Sequence, residues 1–200
     1  MGLFDKFSKD KKAPAVNDIL SIPYDYSGYD LVFEEGTTDP SVYSEINALV
    51  TNNNMDMAGV EGFDSLSKDS TEDEFFEFYD AWIEELEQKG FVTELTMSDD
   101  INTFVSSINK ILGSIGAAQF LDEDAVVNAY RTEVIKHSFQ GEPVSADFKY
   151  DILEANIVAS ELRKTGYELI AFFNSMDNNV KAVIPIDKIS QMQELEAKIK

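Results

Sequence analysis

The chain has 200 residues, 44% of them hydrophobic and 12% aromatic, which is the composition of a globular protein and not of a disordered one. It has no cysteine and one histidine, so disulfides, iron–sulfur clusters, Cys-type zinc sites and thiolate chemistry are excluded. The formal net charge of −22 speaks against nucleic-acid binding, which needs positive charge to displace counterions from phosphates.

The charge is unevenly spread. Residues 1–14 carry four lysines and two aspartates, residues 17–80 carry 16 acids and one base, Lys68, and residues 101–200 carry 14 acids and 10 bases. Such a first half repels nucleic acid and anionic membrane and attracts a basic protein. The competing reading is that the acids serve only solubility.

Residues 1–15 read as a flexible N-terminal arm and residues 16–200 as a single α+β domain. The arm lacks the 7–15-residue apolar core of a signal peptide. Lys6 stands where a myristoylation pattern needs Ser or Thr. Leu3, Phe4 and Phe7 are too few apolar residues for firm membrane attachment. No run approaches the ~20 apolar residues of a membrane helix. The expected location is the cytoplasm.

Val16–Ile22 and Tyr29–Phe33 are candidate strands. Asp39 as N-cap and Pro40 as first helical residue open a helix to Val50, with Val42, Ile46, Leu49 and Val50 as its stripe. Residues 51–70 are polar and turn-rich, a loop long enough to be either functional or mobile. Thr71 and Glu74 then form a Thr-x-x-Glu capping box, and Phe75, Tyr79, Trp82, Ile83 and Leu86 recur at helical spacing. Gly90 stops that helix. Phe91–Met97 alternates like a half-buried strand. Ser98 or Asp99 caps the next helix, whose stripe is Ile101, Phe104, Val105, Ile108, Leu112 and Ile115, with Gly113 and Gly116 at its end.

Asp122 or Asp124 begins a helix with Val126, Val127, Tyr130 and Val134 inward, broken at Gly141 and Pro143. Residues 147–165 read as a helix stopped by Gly166. Tyr167–Phe173 is apolar on both faces and reads as the central strand. Residues 174–179 turn the chain, Val180–Ile186 returns it, and Pro185 ends that strand or puts it at an edge. Asp187 opens a last helix with Ile189, Met192, Leu195 and Ile199 inward. The fold class is therefore α+β, or layered α/β: five or six helices on a small mixed β-sheet. Glu85–Phe91 resembles Glu161–Tyr167 at an offset of 76 residues, but helix–Gly–strand is a generic junction, and no duplication needs to be invoked.

The motifs of known chemistry are missing. His137 has no nucleophile or orienting partner beside it, and there is no Gly-x-Ser-x-Gly elbow. Gly113-Ser114-Ile115-Gly116 follows a helix instead of joining strand to helix, so it is a helix stop and not a phosphate cradle. No EF-hand loop is present. No catalytic residue, metal ligand or cofactor is predicted.

What remains is a dense aromatic and acidic cluster on the helix after Thr71. Glu72, Asp73, Glu74, Glu77 and Asp80 supply charge, and Phe76 or Phe78 supplies an anchoring ring, because only one of the two fits the exposed side. The more common use of such rings is core packing. The leading functional expectation is a non-catalytic acidic module that binds a basic protein partner. By composition alone this resembles toxin-neutralising immunity proteins and nucleic-acid-mimicking inhibitors. The alternatives are an enzyme using carboxylates and a divalent metal, and a structural or assembly subunit tethered through residues 1–14 or the C-terminal helix.

Overall fold

The computed structural model describes residues 29–32, 39–96, 99–139, 155–173 and 180–199. The expected arm, the candidate strand Val16–Ile22, Phe33, the helix break at Gly141 and Pro143, residues 147–154 of the expected helix, the turn at 174–179 and the side chain of His137 lie outside them.

The described elements are β1 (Tyr29–Val32), α1 (Pro40–Val50), α2 (Glu72–Gln88), β2 (Val92–Glu94), α3 (Ile101–Ser114), α4 (Glu123–Phe139), α5 (Ala155–Lys164), β3 (Tyr167–Phe173), β4 (Val180–Pro185) and α6 (Ile189–Ile199). The fold is α+β. β3, β4 and β2 form an antiparallel sheet, and β1 joins it parallel to β3, giving the order β1-β3-β4-β2. Tyr167–Phe173 is thus an internal strand, as its two apolar faces predict.

Ile170 and Phe172 point to one side of β3, and Leu169 and Ala171 to the other. All four are buried, so the sheet is covered on both faces at its centre. Pro185, which cannot donate to the ladder, is the last residue of β4. Buried apolar side chains from Val42 to Ile199 form one contiguous core.

Most helix starts follow the predicted chemistry. Asp39 Oδ1 accepts from Ser41 N at 3.0 Å at the head of α1, with Pro40 as first helical residue. At α4 Asp122 Oδ1 accepts from Ala125 N at 3.0 Å. Gly90 and Gly166 take φ values of 77° and 90°, the left-handed region that only glycine enters without strain.

Four boundaries differ from the sequence reading. Of the seven residues expected in the strand Phe91–Met97, β2 takes three, Val92–Glu94, which pair with Ala182, Lys181 and Val180 of β4; Met97 lies outside the described residues. The cap of α3 is Asp100, whose Oδ1 accepts from Thr103 N at 2.8 Å. Asp99 is occupied elsewhere, since its Oδ2 accepts from Thr96 N at 2.7 Å. Gly113 lies within α3, and Ile115 is its C-cap. A 3₁₀ turn, Ile186–Lys188, precedes α6, so Asp187 does not open that helix; Ile186 N donates to Gly166 O at 3.0 Å and holds the turn against the α5–β3 junction.

The 51–70 segment is a packed loop. Met57 and Val60 are buried, and Met55, Phe63 and Leu66 lean on the core. Asn47, itself buried on α1, donates from Nδ2 to Met55 O at 2.7 Å and accepts at Oδ1 from Trp82 Nε1 at 3.1 Å. One amide thereby ties α1, the loop and α2. Asn52 Nδ2 donates to Ile115 O at 3.0 Å and joins the end of α1 to the end of α3.

Candidate functional site

The predicted site residues all lie on or beside α2. Its first turn is set by the full capping box: Thr71 Oγ1 accepts from Glu74 N at 3.3 Å, and Glu74 Oε2 accepts from Thr71 N at 2.7 Å. The bond from the Thr71 backbone holds the Glu74 carboxyl below its ordinary pKa. Glu72, Asp73 and Glu74 also suit the positive end of the helix. Glu74 is thus committed to the cap.

The inner side of α2 is aromatic. Phe75, Phe78, Tyr79, Trp82 and Leu86 are buried. The Trp82 indole stacks on Phe78 at 6.0 Å between centroids with 8° between planes, meets Tyr43 of α1 edge-on at 6.0 Å, and reaches Phe172 of β3 at 6.0 Å. Phe78 is 0% exposed and packs against Tyr43 and Phe63 as well. The choice between Phe76 and Phe78 therefore resolves: Phe78 is a core ring. Phe76 is half-buried, with its ring 5.5 Å from that of Phe75.

The outer side is acidic along its whole length. Asp73, Glu77, Asp80, Glu84 and Glu87 are all exposed and follow one another at spacings of four and three. At ~100° per residue they fall within an arc of about 80°. Phe76 and Ile83, seven residues apart and both half-buried, lie together along one flank of this ridge, between the acids and the core. Glu72 is exposed on the same flank at the helix start.

Sequence reading brought out the acids of the first two turns. It passed over Glu84 and Glu87, and it put Ile83 in the core stripe. The signal was the continued spacing 73-77-80-84-87, which extends the ridge to the last turn.

Among the described residues no cation pairs with Asp73, Glu77, Asp80 or Glu87. The described cations that pair with acids of the first half serve others: Lys68 lies 3.7 Å from Asp39, Lys198 4.0 Å from Glu45, and Lys89 3.0 Å from Glu85. Successive like charges on a helix each cost a few tenths of a kcal/mol. The helix carries that cost because its opposite face is anchored in the aromatic core. Burial, and then the charge of Asp80, push the phenol of Tyr79 to a higher pKa.

Among the described residues no group of three His, Cys, Asp or Glu side chains stands close enough to hold a metal ion. No described helix is long and apolar enough to cross a membrane. A buried ion pair joins α5 to β3: Arg163 at the end of α5 donates from Nε and Nη2 to the two carboxylate oxygens of Glu168 on β3, at 2.9 and 2.8 Å, across the turn at Gly166. Burial pushes the Glu168 carboxyl up, and the guanidinium opposes that shift.

Comparison with protein-family models, with curated proteins and with solved structures finds no match.

Proposed function

We propose that this protein is a non-catalytic, inhibitor-like module that acts in the cytoplasm and engages a basic protein partner through the outer face of α2. The observation that supports this reading is the ridge Asp73–Glu77–Asp80–Glu84–Glu87, unrelieved by any described cation and flanked by Phe76 and Ile83. Carboxylates in a row steer a cationic partner and set its register, whereas a ring and an aliphatic side chain beside them supply area that excludes water. Both kinds of group sit on one helix fixed from behind, so binding requires little ordering of the surface.

The spacing also describes the partner. Acids repeating every three to four residues over ~21 Å of helix, with an apolar group every seventh residue beside them, fit a second helix or an extended segment with Lys or Arg at a matching interval. Asp73, Glu77 and Asp80 form the N-terminal half of the recognition surface, with Glu72 at its edge and Phe76 as the ring.

The test compares the native protein with a variant carrying Asp73→Lys, Glu77→Lys and Asp80→Lys, each used as bait in native lysate. Captured proteins are identified by mass spectrometry at low salt and at about 0.5 M salt, where the screening length falls well below ~10 Å. The expected result is a basic partner held by the native protein, weakened by salt and lost with the variant. The intensity and position of Trp82 fluorescence show that the variant remains folded. Failure to recover a basic partner, or a partner bound equally by the variant, overturns the proposal.

A further inference from the structure

We draw no further inference here: the strongest candidate, the exposed side chain of Ile135 on α4, is a single apolar group on that helix face, and nothing in the structure shows what covers it.

Discussion

Replacing Asn47 by alanine removes the amide that joins three parts of the core. Two hydrogen bonds go at once, from Nδ2 to Met55 O at 2.7 Å and from Trp82 Nε1 to Oδ1 at 3.1 Å. Their partners stay where they are, the indole at 0% exposure and the Met55 carbonyl in a part-buried position. A buried polar group that loses its partner costs about 1–3 kcal/mol, so the pair sums to about 2–6 kcal/mol. Against a total stability of ~5–15 kcal/mol, that is a large fraction.

The chain has a single tryptophan, so urea unfolding followed by its emission reports on this site without competing signal. With a slope of ~1–3 kcal/mol per M urea, the midpoint falls by at least about 0.7 M. Asn47→Leu keeps the volume but not the hydrogen bonds, and it loses nearly as much. A loss below about 0.5 kcal/mol in both variants, the scale of an ordinary surface substitution, refutes the view that this amide holds loop and helices together.

Three other outcomes follow from the structure. Arg163→Met leaves the Glu168 carboxylate buried without its guanidinium and destabilises by about 3–5 kcal/mol, whereas Arg163→Met combined with Glu168→Leu recovers most of the loss in the same urea assay; a double variant as weak as the single one contradicts this. Gly90→Ala forces a side chain onto a φ of 77° and brings its Cβ to 2.9 Å from Ser114 Oγ, so thermal unfolding occurs at lower temperature, while Gly59→Ala, with nothing within 4 Å, leaves it unchanged. Hydrogen bonds from the backbones of Ser41, Thr71 and Thr103 hold the carboxyls of Asp39, Glu74 and Asp100 below their ordinary pKa, so these caps contribute stability above about pH 4 and lose it as pH falls through the depressed values. Replacing Asp39 and Asp100 by Asn and Glu74 by Gln, which keep these hydrogen bonds without titrating, flattens the acid limb of a melting-temperature profile; an unchanged limb assigns acid unfolding to other groups.

Local chemistry was legible wherever a side chain satisfies its own neighbourhood. Asp39-Pro40, the Thr71–Glu74 box, and Gly90 and Gly166 each act within a few residues, and the structure has them as the sequence predicts. What depends on a distant partner was not legible. The register of β2 depends on β4, whose Val180 pairs with Glu94 from 86 residues away. The packing of loop 51–70 depends on an asparagine that in sequence looks like one more polar residue of α1. The division of Phe76 from Phe78 was half legible: helical geometry separates the two, but only the rings of Tyr43 and Phe63 show which one is covered. The ridge itself was readable through Asp80, and its continuation was hidden by how common acids are in this chain.

The two sides of α2 share no side chain. Rings and Leu86 face inward, the carboxylates of the ridge face outward, and the half-buried Phe76, Ala81, Ile83 and Glu85 lie between. Changes to the outer face therefore leave the architecture untouched. On the proposed reading, recognition can drift, be redirected to a new target, or be erased by a few charge changes, while folding proceeds as before. A helix divided in this way lets selection alter specificity without first securing compensating changes in the core.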